Sequence, residues 1–142
     1  MSNESRSEEV FSDLLSYIED YKNYLKKQDL RNADLAEADL RGANMFRADL
    51  RKADMYRANL SLADLREADL TEVHLTEADL TRADLWDADL TEARLRRANM
   101  SRADLSGANL TEVDLTEADL TKAKILEKYK GLIEWVKEDN HE

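Results

Sequence analysis

Between Leu30 and Leu120 every fifth residue is Leu, or Met at Met45, Met55 and Met100, with no insertion in the register. No α-helix can use that spacing. Successive helical residues turn by about 100°, so a five-residue step moves about 140° and scatters the leucines over every face. From Asp29 to Ala123 the chain instead divides into 19 pentads of the form Asp-Leu-x-x-Ala. The Ala slot runs from Ala33 to Ala123 and holds Val only at Val73 and Val113, and the slot before each Leu or Met, from Asp29 to Asp119, holds Asp or Asn except at His74 and Arg94. Ala-Asp-Leu is apolar, polar, apolar, which reads as a short strand with two side chains inward and one outward. The next two residues are mostly polar and turn a corner. Each pentad is then one side of a coil, and stacked coils bury a continuous column of Ala and Leu.

The segments ADLAEADLRGANM (33–45), ANLSLADLREADL (58–70) and ANLTEVDLTEADL (108–120) resemble the pentapeptide repeat family, and the likeness holds over 29–123. It implies a mainly β fold, a right-handed quadrilateral parallel β-helix with four pentads to the coil. The 19 pentads then make about five coils, roughly 23 Å of column at the spacing of hydrogen-bonded strands. The resemblance also implies that Asp or Asn supports each turn through side-chain hydrogen bonds. Such bonds to nearby backbone are ordinary chemistry for these residues. They account for a chain full of turns that has no proline and glycine only at Gly42, Gly107 and Gly131.

Three regions follow: a polar start and amphipathic helix in 1–28, the repeat column in 29–123, and a C-terminal amphipathic helix with a frayed tail in 124–142. In the first, Val10, Phe11, Leu14, Tyr17, Ile18, Tyr21 and Leu25 recur at three- and four-residue steps. In the last, Leu126, Tyr129, Ile133 and Val136 do the same, and Gly131 weakens the middle. A solenoid needs caps because its end coils expose core and unpaired strand edges. The first helix is expected to cap. For the second, capping competes with a homodimer, which the resemblance implies, because Leu132 and Trp135 leave apolar surface outside the first stripe.

Positions twenty apart stack if the coil has twenty residues. One column then reads Glu37, Arg57, Glu77, Arg97, Glu117, a ladder of surface ion pairs worth about 0–1 kcal/mol each. A second reads Phe46, Arg66, Trp86, with an arginine between two aromatics. That column is a candidate interaction patch, extended by Tyr56 and Leu62, because exposed aromatics and arginine favour interface centres. Its plainer reading is cation–π shielding of the surface. The breaks in the Asp series place His74 and Arg94 on one face, and Arg96 and Arg97 follow at once. These four form a candidate basic notch for an anion or a partner carboxylate, unless neighbouring Glu and Asp neutralise it.

Catalysis is not expected, and no catalytic residue is assigned. Cysteine is absent, and histidine occurs only at His74 and His141, so thiolate nucleophiles and zinc–thiolate sites are excluded. The carboxylates stand on a regular exterior rather than in a pocket. Stacked Asp29, Asp49, Asp69 and Asp89 offer too few converging oxygens for calcium, which takes six to eight. No cofactor or metal is expected. No apolar run has the length of a membrane span or signal-peptide core, so a cytoplasmic protein is expected. The net charge of −11 argues against nucleic acid and anionic lipid as direct partners.

The reading that results is a rigid, non-enzymatic scaffold with an acidic surface and an unidentified protein partner. An alternative follows from the resemblance, since some members bind DNA gyrase and protect it from quinolones by imitating duplex DNA. Within 29–123 the 21 acidic residues exceed the 13 basic ones, less than the one charge per about 1.7 Å of B-DNA. The near-identical TEVHLTEADLT (71–81) and TEVDLTEADLT (111–121) leave a third alternative, a consensus-like or engineered solenoid without a natural partner.

Overall fold

The computed structural model describes residues 25–132. Its backbone is a stack of twenty-residue coils. Parallel bridges join residues twenty apart, from Asp29 with Asp49 through Asn99 with Asp119. At the end of the stack β1 (Asp104–Leu105) pairs in parallel with β2 (Lys124–Ile125), Asp104 opposite Lys124 and Leu105 opposite Ile125. Each coil has four corners, as the four pentads per twenty residues demand.

The five N–H groups of a pentad built on Asp or Asn find acceptors, and this explains why so regular a turn needs neither Gly nor Pro. In the pentad of Asp49, the Asp49 N–H donates to Gln28 O in the preceding coil at 2.9 Å, and the Leu50 N–H donates to Asp69 O in the following coil at 2.8 Å. The Lys52 N–H donates to Thr71 O at 3.0 Å, and the Ala53 N–H closes the turn on Leu50 O at 3.0 Å. The fifth donor, the Arg51 N–H, goes to Asp49 Oδ1 at 3.3 Å. A buried or crowded backbone donor left unpaired is costly, so a side chain that captures the last one specifies the corner.

The second turn residue has positive φ at every corner, from Lys27 (57°) to Lys122 (59°), and only Gly42 and Gly107 are glycine there. A non-glycine residue in this region costs on the order of 1–2 kcal/mol. The cost is offset because that residue's N–H bonds the next coil, as Asn32 does to Arg51 O at 3.0 Å and Glu37 to Tyr56 O at 2.7 Å. Sequence reading identified the Asp support and missed the left-handed residue beside it.

Inside, the Leu, Met and Ala slots form one buried column with no polar or charged residue buried among the described ones. The column is longer than the repeat pattern suggests. Leu25, assigned from its spacing to the N-terminal helix, is buried in the core, and Gln28 N–H closes a turn on Leu25 O at 3.3 Å. Lys124 and Ile125, assigned to the C-terminal helix, are strand. The reason is the same at both ends: an apolar residue at the five-residue register can take the inward slot even where the motif is incomplete, with Asn23 and Tyr24 before Leu25 and Lys124 in place of Asp before Ile125. The remainder of the expected first helix lies outside the described residues. After β2 a 3-10 turn spans Glu127–Tyr129, and the backbone is helical at 130–132.

Candidate interaction surface

The twenty-residue coil sorts the predicted surface residues by corner. Phe46, Arg66 and Trp86 occupy equivalent places in successive coils, one above another, as drawn from the sequence. Their contacts differ from a sandwich of rings around one cation. The Phe46 ring lies beneath three cations, with Arg47 at 4.9 Å, Lys26 at 5.4 Å and Arg66 at 5.5 Å from its centroid. Arg66 is also forked onto Asp64, Nε to Oδ1 at 2.8 Å and Nη2 to Oδ2 at 2.7 Å, and reaches Asp84 at 3.7 Å. Among the described residues no cation–π contact joins Arg66 to Trp86, whose side chain is 45% exposed. The planar guanidinium takes the bidentate carboxylate in its own turn, where two hydrogen bonds outweigh a ring.

Tyr56 and Leu62 do not extend this column. Tyr56 is ten residues, half a coil, from Phe46 and Arg66, and so sits at the diagonally opposite corner. Leu62 stands one corner before Arg66 and is 63% exposed. Sequence distance hid this, because proximity in a solenoid follows the remainder after twenty.

Tyr56 belongs instead with the basic notch. Its ring stacks on His74 with centroids 5.7 Å apart and planes 23° apart, and the Arg57 guanidinium lies 5.0 Å from the same ring. His74 Nδ1 stands 3.1 Å from Asp54 Oδ1, directly across a coil-to-coil bridge, and Arg94 bridges His74 from the other side. At these two positions the turn loses its carboxylate, so the N–H groups of Thr76 and Arg96 have no Asx acceptor of the usual kind. Arg96 and Arg97 converge on Glu117, the first at 3.5 Å from Oε1. Hydrogen bonding to Arg97 chiefly holds the Glu117 carboxyl below its ordinary range. Arg96 and Arg97 thus share one carboxylate, which offsets one of their two charges, while Arg94 is exposed. The Tyr56–His74–Asp54 cluster was the part missed from sequence, and the twenty-residue offset of Asp54 and His74 was its signal.

The ladder of alternating signs forms as Arg57 Nε to Glu77 Oε2 at 2.7 Å and Arg97 to Glu117. Arg47 and Glu67 make a similar rung at 2.6 Å. In-turn forks dominate the first coils. The Arg31 side chain is the largest cause that pulls Asp29 from 3.8 to about 2, and Arg51 and Arg66 depress Asp49 and Asp64 in the same way. Among the described residues no group of three His, Cys, Asp or Glu side chains is arranged to hold a metal ion, and no helix is long and apolar enough to cross a membrane.

At the C-terminal end Tyr129 and Leu132 pack against the core, while Leu126 is 36% exposed. Leu110 N–H donates to Tyr129 Oη at 3.3 Å. In the body of the column this donor would reach the carbonyl nineteen residues on, and residue 129 supplies its side-chain oxygen instead. Burial pushes the Tyr129 phenol up, but the Leu110 bond and the Lys128 charge outweigh it, leaving the phenol below its ordinary value. Tyr129 and Leu132 thus lie against the apolar column at its C-terminal end. Ile133, Trp135 and Val136 lie outside the described residues.

Comparison with known proteins gives a consistent result. A family model for pentapeptide repeats matches residues 29–61, 58–97 and 98–126, with eight copies. Among solved structures, a pentapeptide repeat protein of the Arabidopsis thaliana thylakoid lumen is 26% identical over 81% of this chain and 80% of its own, with a TM-score of 0.45. HetL, involved in heterocyst differentiation regulation in the cyanobacterium Nostoc, is 31% identical over 70% of this chain and 58% of its own, with a TM-score of 0.28. A trypsin-treated variant of QnrB1, a plasmid-mediated fluoroquinolone resistance protein, is 22% identical over 73% of this chain and 83% of its own, with a TM-score of 0.31. No curated protein sequence matches.

Proposed function

The chain belongs to the pentapeptide repeat family, and from that premise we propose that it is a non-enzymatic interaction scaffold that presents a fixed acidic exterior to a protein partner in the cytoplasm. In this reading the coil is right-handed and four-sided, about five coils long, with an amphipathic helix at each end. One observation carries the proposal: all backbone donors of a typical pentad are used internally, and the core holds only apolar side chains. Every variable residue is therefore outward and held at a constant spacing. Such a surface can recognise a partner, whereas acid–base or nucleophilic chemistry needs convergent, partly desolvated groups.

The column of half-buried Phe46 and exposed Trp86 is the surface assigned to that partner. Replacing both by Ser is expected to leave the circular dichroism spectrum intact and to weaken capture of the partner in a pull-down. Undiminished capture by the double variant would remove this column as the binding surface.

The competing reading, a DNA mimic acting on DNA gyrase, draws on the acidic excess. Its weakness is that Asp29, Asp49 and Asp64 are each forked by the arginine of their own turn, which breaks the line of charge a duplex would present. At micromolar protein neither inhibition of gyrase supercoiling nor protection from quinolones is expected. Clear inhibition would reverse the order of the two readings.

A further inference from the structure

Several charges on this solenoid have no ion pair among the described residues, and five of them belong to two stacked columns of opposite sign. Arg82, Arg102 and Lys122 stand one above another at one corner, all exposed. Glu72, Glu92 and Glu112 stand one above another at the diagonally opposite corner, also exposed. Among the described residues the three cations, Glu92 and Glu112 take part in no ion pair. Glu72 meets Lys52 at 3.6 Å. Like charges stacked at the coil spacing repel, yet of these six residues only Glu72 has an ion-pair partner among the described residues.

The two columns share a register. Each glutamate is followed ten residues later by its counterpart, Glu72 by Arg82, Glu92 by Arg102, and Glu112 by Lys122. Ten residues is half a coil, so the columns have the same pitch and differ in height by half the coil spacing, about 2.4 Å. A second copy shifted sideways and by that half step sets three glutamates against three cations. The corners are also flat there. The residues beside the glutamates are Thr71, Thr91 and Thr111, and those beside the cations are Thr81, Ser101 and Thr121. Four of these hydroxyls are turned onto their own Asp or Asn, as Thr71 is to Asp69 at 2.7 Å, Thr81 to Asp79, Thr91 to Asp89 and Thr111 to Asn109. The same shift lays Lys52 against Leu62, the most exposed large apolar side chain among the described residues, where its aliphatic stem can cover it.

We propose that the Glu72, Glu92, Glu112 corner of one copy docks the Arg82, Arg102, Lys122 corner of a second copy, side by side and head to tail. The contact is heterologous, because the two surfaces lie on opposite corners. It leaves one corner of each kind free and extends into a row rather than closing as a dimer. The molecule's net charge opposes association at very low salt, and high salt screens the pairs. Association is therefore strongest near 0.1 M salt, where the Debye length is about 10 Å, and is lost near 1 M, where it is about 3 Å.

Sedimentation velocity of the full chain tests this. At 0.1 M salt the weight-average sedimentation coefficient rises steadily between about 10 and 500 μM and returns to the small-species value at 1 M salt. The triple variants R82E/R102E/K122E and E72K/E92K/E112K each lose this rise while keeping the wild-type circular dichroism spectrum. Mixed in equal amounts they recover it. Both variants remain net negative, so recovery does not follow from attraction between oppositely charged proteins. A wild-type coefficient independent of concentration overturns the proposal. So does a salt-insensitive dimer retained in both variants, which places self-association at the C-terminal end. A mixture no larger than its components also overturns it.

Discussion

At the scale of the residue, the Asp of each pentad is defined by one acceptor atom. Its Oδ1 takes the N–H two residues on, and the hydroxyl of a following Thr shares that oxygen, as Thr91 does with Asp89 at 2.6 Å. Asn can do the same through its amide oxygen, as Asn109 does for Thr111. The interchange of Asp and Asn along the repeat is thus a matter of hydrogen bonding rather than charge. Replacing Asp69 by Ala is expected to cost about 1 kcal/mol, the worth of a typical lost hydrogen bond, and Asp69→Asn to cost about half of that or less. Chemical denaturation of the two variants measures the difference. Equal losses would show that the negative charge, not the acceptor, is what the turn uses.

At the scale of the element, a rung contributes two buried side chains and its share of the ladder. Leu75 is fully buried at mid-column, where its neighbours are held from above and below by backbone bonds and relax little. Leu75→Ala is expected to lower stability by about 2–5 kcal/mol, the range for a core cavity that cannot collapse. The last coil has a different support. Tyr129→Phe removes the acceptor of the Leu110 N–H and is expected to cost about 1 kcal/mol. Amide exchange at Leu110 accelerates in that variant while Leu75 keeps its protection. Uniform acceleration at both amides would mean that the C-terminal end and the mid-column open together.

At the scale of the molecule, acid sensitivity follows from the depressed carboxylates. Asp29, Asp49, Asp64, Asp114 and Asp119 all titrate below their ordinary value, mainly through hydrogen bonds to Arg31, Arg51, Arg66, Thr116 and Thr121 respectively. A group with a lowered folded-state pKa adds stability that is complete above its unfolded value and is lost as pH falls through the folded one. For Asp29 those limits are 3.8 and about 2. Melting temperature is expected to hold steady above about pH 5 and to fall between about pH 4 and 2. A melting temperature unchanged down to pH 2 would show that these bonds do not favour the folded state.

The five-residue period was enough, alone, to exclude a helix, to turn the Leu and Ala slots inward and to sort outward residues into columns. Those features depend only on which way successive side chains point, and that is local. The neighbourhood in three dimensions decided the rest. Leu25 and Ile125 joined the column because an inward slot needs an apolar side chain and a backbone partner more than a complete motif. Tyr56 left the Phe46 column because half a coil separates them. Arg66 bound Asp64 rather than Trp86 because a bidentate carboxylate in its own turn was the better partner. Each of those outcomes is a competition among groups brought together by stacking, and the order of residues along one coil does not contain the competitors from the next.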